Sequence, residues 1–214
     1  MFKNRSEAGR RLALKLKQYK NSSAVVLALP RGGLPVAYEI ARALKLSLDI
    51  FSVRKVGHPY NSEYAIGAVD NLDNQLCNEE EIKNIDPRWL EEEIEKQKQE
   101  AKRRAAIYRQ GEQALEIKNK NVILVDDGAA TGLTLRLAIQ SLKKMETKEI
   151  IVAIPVTPKR VAIILREAAD KLAALEIPEF FQGAVGAYYE DFGEVSDQEV
   201  ISLLTESRTA YPNQ

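Results

Sequence analysis

Residues 122–134 read Val-Ile-Leu-Val-Asp-Asp-Gly-Ala-Ala-Thr-Gly-Leu-Thr, an apolar run followed by two acids and a turn of small residues. Apolar residues without polar alternation predict a strand that is buried on both faces of a parallel sheet. The small residues after Asp126 and Asp127 predict a tight turn into a helix. Backbone N–H groups and the helix dipole at such a turn favour a bound phosphate group.

The two acids need a separate explanation, because a carboxylate and a phosphate repel each other. Each of two neighbouring sugar hydroxyls can donate a hydrogen bond to a carboxylate. A sugar with a phosphate at one end therefore fits both halves of the stretch. The turn lacks the Gly-Lys-Ser/Thr ending that is typical of an ATPase phosphate loop.

Strands and helices alternate on both sides of this stretch. Short apolar runs predict strands at 24–29, 48–53, 65–69, 149–154 and 171–177, and segments with helical spacing separate most of them. The alternation predicts an α/β fold: a doubly wound, mostly parallel sheet flanked by helices. Such sheets bind ligands at the carboxyl ends of their strands.

Two segments stand apart from this alternation. Residues 86–111 have the clearest helix pattern, with Asp86 as a cap and Pro87 in the first turn, and they predict a long helical insertion. Near the other end, residues 180–192 gather five of the chain's Phe and Tyr residues. We therefore predict a core of residues 1–175, which includes the insertion, and a small C-terminal aromatic hood of residues 176–214.

Composition argues against several kinds of function. Lys+Arg and Asp+Glu each number 31, so no net charge favours nucleic acid. A single Cys and a single His argue against a disulfide framework and a zinc site. No apolar run approaches the roughly 20 residues that span a bilayer. We expect a cytoplasmic protein that binds neither membranes nor nucleic acid.

The stretch 122–134 resembles the phosphoribosyl pyrophosphate loop of type I phosphoribosyltransferases: an apolar strand, two acids, small residues and Thr-Gly-X-Thr. Two further pieces follow the order used in that family. The sequence Leu29-Pro-Arg-Gly-Gly resembles its pyrophosphate loop, and Arg54-Lys55 resembles the Arg-Lys pair that reaches the same group. The resemblance covers about residues 23–156.

This resemblance implies an enzyme of nucleotide metabolism and nucleoside salvage. It would transfer the 5-phosphoribosyl group from phosphoribosyl pyrophosphate to a nitrogen acceptor, such as a nucleobase, with release of pyrophosphate. Asp126 and Asp127 are then the expected catalytic residues, which hold the ribose hydroxyls and Mg²⁺, directly or through water. The residues expected at the 5′-phosphate are Gly128, Ala129, Ala130, Thr131, Gly132 and Thr134. Those expected at the pyrophosphate are Arg31, Gly32, Gly33 and Lys55.

The resemblance also carries expectations about the acceptor and the assembly. A hood stacks the acceptor base in that family, which makes Tyr188 and Phe192 the expected base-binding residues. Members commonly form homodimers, and a mobile segment after the second or third strand closes over the reaction. The loop 57–63 with His58 is one candidate for that segment, although a lone His in such a loop is more often a surface residue. Oxopurine-salvage members usually carry a third acid where this chain has Ala130, so a hypoxanthine-guanine acceptor is disfavoured and the acceptor stays open.

Two alternatives remain at the level of sequence. One is a non-catalytic regulatory protein of the same fold that senses phosphoribosyl pyrophosphate or nucleotides. The other is a generic nucleotide-binding α/β domain. Neutral net charge counts against a regulator of nucleic acid, although the basic residues of 102–109 keep it open. On a helix of mixed charge, such residues usually form a solvated face.

Overall fold

Parallel strands form the centre of the computed structural model, which describes residues 1–210 apart from the side chain of Glu63. The strands are β1 (Val25–Ala28), β2 (Ser47–Ile50), β3 (Val53–His58), β4 (Asn61–Asp70), β5 (Gln75–Cys77), β6 (Asn121–Val125), β7 (Glu149–Val156) and β8 (Lys171–Glu176). Five of them make a parallel sheet in the order β2-β1-β6-β7-β8. The predicted α/β fold is confirmed.

Helices cover both faces of this sheet. They are α1 (Arg5–Lys15), α2 (Gly33–Leu44), α3 (Glu79–Ile82), α4 (Pro87–Arg109), α5 (Leu133–Lys144), α6 (Lys159–Ala168) and α7 (Asp197–Ala210). The apolar core on one face joins the sheet to α1, α2 and α7, and the core on the other face joins it to α5 and α6. The sheet is therefore doubly wound.

The middle strand, β6, consists of apolar residues from Val122 to Val125 because both of its faces are buried. Ile123 and Val125 belong to the core on one face, whereas Val122 and Leu124 belong to the core on the other. All four are fully buried. Full burial of such a side chain contributes roughly 1.5–3 kcal/mol. Replacing any of these four side chains with a polar one would remove that stabilisation, because each of them is buried in one of the two cores.

A second sheet, which the sequence did not predict, is formed by residues that follow β2 and precede α4 in the chain. It is antiparallel, with the order β3-β4-β5. The predicted strand 48–53 was wrong in its extent, because β2 ends at Ile50 and Val53 already begins β3. The predicted strand 65–69 exists, but within β4 of this second sheet. β3 and β4 are consecutive in the chain and pair with each other as a hairpin. They form these backbone hydrogen bonds without either strand joining the parallel sheet.

The predicted helix 86–111 is confirmed as α4. The side chain of Asp86 caps it by accepting a 3.0 Å hydrogen bond from the backbone N–H of Arg88. The helix ends where Gln110 and then Gly111 adopt positive φ angles of 53° and 88°. Its buried side is narrow, since Ala101, Ala105 and Tyr108 are its only fully buried residues in the described structure.

The N-terminal segment pairs with the predicted hood. The backbone N–H of Phe2 donates to the carbonyl of Tyr188, and the N–H of Glu190 donates to the carbonyl of Phe2, both at 2.8 Å. The ring of Phe2 also packs against that of Tyr189, with 5.3 Å between centroids. The covering over this end of the sheet is thus built from both ends of the chain. The division at residue 175 stays a prediction.

Candidate functional site

The candidate site lies where the middle strand of the parallel sheet ends. Asp126 and Asp127 directly follow β6, at its carboxyl end. The neighbouring strand β1 runs parallel to β6 in a register that pairs Ala28 with Val125. The loops after both strands therefore emerge side by side at the same edge of the sheet, as expected for a ligand site in this architecture.

The turn after the two acids is fixed by the next strand and by backbone conformation. The N–H of Ala129 donates to the carbonyl of Val156, and the hydroxyl of Thr157 donates to the carbonyl of Ala129, both at 3.0 Å. Gly132 has a φ of 74°, a left-handed conformation that glycine adopts without strain. Immediately after it, Leu133 begins α5.

Three consecutive amides lie in the turn that leads into α5. Within the described residues, the N–H groups of Ala130, Thr131 and Gly132 donate no hydrogen bond to another backbone carbonyl. They precede the first turn of α5, whose dipole places partial positive charge at this end. A phosphate group could accept from these amides without a basic side chain. Thr131 is exposed, whereas Thr134 is half-buried.

The loop after β1 touches the acid pair. It contains a cis peptide bond between Pro30 and Arg31, followed by Gly32 and Gly33. A Cβ built on Gly33 would stand 2.8 Å from the carbonyl oxygen of Val125. At Gly32, a Cβ would stand 2.0 Å from Oδ2 of Asp127. The two glycines therefore permit a contact between the loops that a side chain would prevent.

The surroundings of the two acids shift their pKa values. Burial raises the pKa of Asp126 well above its ordinary value, and the charge of Asp127 raises it further. Oδ1 of Asp126 accepts a 2.9 Å hydrogen bond from the N–H of Asp127. Burial also raises the pKa of Asp127, although the guanidinium of Arg5 acts in the opposite direction. An additional cation at this position would relieve the repulsion between the two carboxylates.

Arg5 is a site residue that the sequence did not indicate. Its Nε donates to Oδ2 of Asp127 at 2.8 Å. Asp127 is thus in an ion pair, yet its carboxylate still lies against Gly32 of the adjacent loop. Among the basic residues of α1, no local pattern distinguishes Arg5 from Arg10 or Arg11. Its contact with Asp127 forms only in the folded chain, and the residues around Arg5 in the sequence do not indicate it.

Arg31 and Lys55, which were both predicted to bind pyrophosphate, lie in different surroundings. Arg31 forms ion pairs with Glu194 and, at 3.5 Å, with Asp197, both near the start of α7. Lys55 is partly buried on β3. Its neighbour Arg54 points toward α4, where its Nε donates to Gln97 at 3.0 Å. Burial and the nearby charge of Arg104 lower the pKa of Arg54.

Comparison with known proteins places this arrangement in a family. A family model described as the phosphoribosyl transferase domain matches residues 2–190. The chain belongs to the phosphoribosyl transferase family. The resemblance seen in residues 122–134 is thereby confirmed.

Two relatives can be compared along most of the chain. The crystal structure of TT1426 from Thermus thermophilus is 39% identical, covers 96% of this chain and 98% of its own, and superposes with a TM-score of 0.79. A Mycobacterium tuberculosis protein, provisionally named as a phosphoribosyl transferase, is 35% identical over 206 residues. These residues cover 95% of this chain but 46% of that protein, so the chain spans about half the length of that curated relative.

The two predicted base-binding aromatics have different neighbours. Tyr188 is buried and stacks on Phe181, with 5.3 Å between centroids, while its hydroxyl accepts from the N–H of Gln182. Phe192 is half-buried, and the guanidinium carbon of Arg5 lies 3.8 Å from its ring centroid. The role of either ring in base stacking stays a prediction.

The remaining candidates contact other residues of the structure. His58 ends β3 beside the rings of Tyr60 and Tyr64, at 5.7 and 6.3 Å between centroids. Within 102–109, Lys102 pairs with Asp73, while Arg103 and Arg104 both pair with Glu100. Arg109 pairs with the buried Asp49. These pairs support the interpretation of the helix surface as structural rather than ligand-binding.

Among the residues that the structure describes, no helix combines the length and apolar character needed to cross a membrane. Over the same residues, no group of three or more His, Cys, Asp or Glu side chains could hold a metal ion. A metal at Asp126 and Asp127 would thus depend on ligand or water oxygens for the rest of its coordination.

Proposed function

We propose that the chain transfers the 5-phosphoribosyl group of phosphoribosyl pyrophosphate to a nitrogen acceptor and releases pyrophosphate. The main support for this proposal is the contact between Gly32 and the Asp127 carboxylate, which joins the loop after β1 to the acid pair. Because these loops touch, one ligand can span the acids, the phosphate-binding turn and the loop. Phosphoribosyl pyrophosphate has the matching parts: ribose hydroxyls, a 5′-phosphate and a diphosphate at C1.

Each part of that ligand has a proposed partner. Asp126 and Asp127 accept hydrogen bonds from the ribose hydroxyls. The 5′-phosphate is held by the turn comprising Gly128, Ala129, Ala130, Thr131, Gly132 and Thr134, chiefly through the amides that donate no backbone hydrogen bond. The pyrophosphate is held by Arg31, Gly32, Gly33 and Lys55.

The proposed reaction requires electrostatic stabilisation more than a protein nucleophile. The bond between C1 and the pyrophosphate oxygen breaks, the acceptor nitrogen bonds to C1, and the acceptor loses a proton. Positive charge develops on the sugar ring and negative charge on the leaving group. The Asp126 and Asp127 carboxylates face the first, and the amides and cation of the loop after β1 face the second.

The donor set at the site fits Mg²⁺. Asp126 and Asp127 provide adjacent oxygen ligands, and burial raises the pKa of both, so a nearby cation would lower the cost of ionising them. These two residues would hold the ion directly or through water. When bound, Mg²⁺ neutralises negative charge on the departing pyrophosphate.

The acceptor is proposed to be a nucleobase bound beneath the hood, with Tyr188 and Phe192 as its nearest aromatic candidates. Ala130 stands where oxopurine-salvage members usually have an acid, so a hypoxanthine or guanine acceptor is disfavoured. A homodimer and a cytoplasmic location complete the proposal, on the basis of the family resemblance.

A pyrophosphate-release assay tests the proposal. The protein is incubated with Mg²⁺, phosphoribosyl pyrophosphate and, one at a time, purine and pyrimidine bases. We expect release with at least one base and its loss in the Asp126→Asn/Asp127→Asn double variant. Tight binding of phosphoribosyl pyrophosphate without release for any base would instead favour the non-catalytic sensor.

A further inference from the structure

Arg5 reaches the candidate site from a helix that is fixed in place on two sides. Asn4 caps α1 by accepting a 2.9 Å hydrogen bond from the N–H of Glu7. The segment before it pairs with the hood, since the N–H of Asp191 donates to the carbonyl of Lys3 at 2.9 Å. Behind Arg5, the helix packs closely on α2, because a Cβ on Gly9 would stand 2.5 Å from the carbonyl oxygen of Val36.

The guanidinium of Arg5 is held in a defined orientation. Its Nε donates to Asp127 and its Nη1 donates to the carbonyl of Gly193 at 2.7 Å. The ring of Phe192 covers its flat face at 3.8 Å. The side chain is only 12% exposed. A planar cation with two directed hydrogen bonds and a stacked face is an arrangement that lysine cannot reproduce.

Both the side chain and the backbone of Asp127 are therefore restrained, by residues near the two termini. Arg5 binds its carboxylate, and the hydroxyl of Tyr189 donates a 2.6 Å hydrogen bond to its carbonyl oxygen. Gly32 lies against Oδ2 from the adjacent loop. With Oδ2 engaged in this way, the position of Oδ1 is set as well, because the carboxylate is planar.

From these contacts we infer that Arg5 is a positioning residue, which fixes the Asp127 carboxylate for the ribose hydroxyls of phosphoribosyl pyrophosphate. The inference rests on the proposed function. Arg5 also offsets the negative charge of Asp127, which otherwise repels a ligand with a phosphate and a diphosphate. The hood thus contributes to binding of the sugar donor as well as covering the acceptor.

A double-mutant cycle measured by calorimetric binding of phosphoribosyl pyrophosphate with Mg²⁺ tests this role. We expect Arg5→Ala to weaken binding about tenfold or more, a difference of about 1.4 kcal/mol. Arg5→Lys, which retains the charge without the planar contacts, should recover part of the loss. In the Asp127→Asn background, Arg5→Ala should change the affinity by less than about twofold, because its effect acts through Asp127.

Arg10→Ala is the matched control, since Arg10 lies on the same helix and pairs with Glu39, away from the acid pair. Its affinity should equal that of the wild type, and circular dichroism with thermal unfolding should confirm that all variants fold. Equal weakening by Arg5→Ala in both backgrounds would overturn the positioning role, as would unchanged or tighter binding. Wild-type protein that binds no phosphoribosyl pyrophosphate would instead refute the proposed function itself.

Discussion

Gly32 and Asp127 are in direct contact, although they belong to loops that follow different strands: a Cβ on Gly32 would stand 2.0 Å from Oδ2 of Asp127. Gly32 has φ −57° and ψ −35°, values that alanine adopts freely. The requirement for glycine at this position is therefore one of space rather than of backbone conformation. The contact makes Gly32 a sensitive probe of the site.

Gly32→Ala should displace the Asp127 carboxylate and weaken binding of phosphoribosyl pyrophosphate by about tenfold, equivalent to about 1.4 kcal/mol. Binding is measured by calorimetry. Gly111→Ala is the control, because an added Cβ there would point into open space. That variant should lose about 1 kcal/mol of stability from strain at positive φ without losing affinity. Equal affinity of Gly32→Ala and wild type would show that the carboxylate position is unimportant.

Asp127→Asn should retain the fold while lowering turnover by about tenfold or more, since it removes the charge that faces the sugar cation. The measurement is pyrophosphate release at saturating donor, with thermal unfolding to verify folding. Asp73→Asn provides a matched change, because Asp73 is exposed and pairs with Lys102 on the insertion. Full activity in Asp127→Asn would remove this residue from the chemistry.

Mg²⁺ should bind appreciably only together with the sugar donor. Two carboxylates leave most of the about six Mg²⁺ ligands to water and to substrate oxygens. Titration of Mg²⁺ into the free protein should show weak binding, and addition of phosphoribosyl pyrophosphate should strengthen it severalfold. Strong binding to the free protein would point to a metal site built by the chain alone.

The ion pair between Arg31 and Glu194 predicts competition with pyrophosphate. Glu194→Gln should tighten the binding of inorganic pyrophosphate about two- to fivefold, because an exposed ion pair is worth about 0.2–1 kcal/mol. Glu190→Gln removes the same charge from a nearby exposed position and should leave the affinity unchanged. Weaker binding in Glu194→Gln would indicate that Glu194 supports the bound state instead.

The buried pair of Asp49 and Arg109 should govern stability. Asp49 is 1% exposed, and it also accepts a 3.1 Å hydrogen bond from the N–H of Leu115. Asp49→Ala should lower the free energy of unfolding by about 3–5 kcal/mol, because it leaves the partly buried guanidinium of Arg109 without its buried partner. Urea denaturation measures the loss. Lys102→Ala, at an exposed pair, should cost no more than about 1 kcal/mol.

Local patterns predicted those features whose causes are local. The apolar run of β6, the two acids after it and the cap at Asp86 each show in a few consecutive residues. The register that brings Gly32 against Asp127 follows from adjacent parallel strands, so the proximity of the two loops was also predictable in outline. The second sheet was missed because the apolar residues of β3 and β4 match a strand in either sheet.

Long-range contacts explain what the sequence did not indicate. Arg5 and Asp127 are 122 residues apart, and neither residue's neighbours reveal the other. The pairing of Arg109 with the buried Asp49, across 60 residues, likewise turned an apparently exposed cation into a partly buried one. Such pairs depend on how α1 and α4 pack, which propensity and spacing do not determine.

The pairing of Phe2 with Tyr188 and Glu190 has a consequence for the order of events during synthesis on the ribosome. Strands β1, β2, β6 and β7 can pair once residue 156 has left the exit tunnel, but Phe2 acquires its partners only more than thirty residues later. Contacts between such distant parts of a chain carry a loop-closure entropy cost before they contribute stability. A nascent chain can therefore possess most of its parallel sheet while Arg5 is still unplaced.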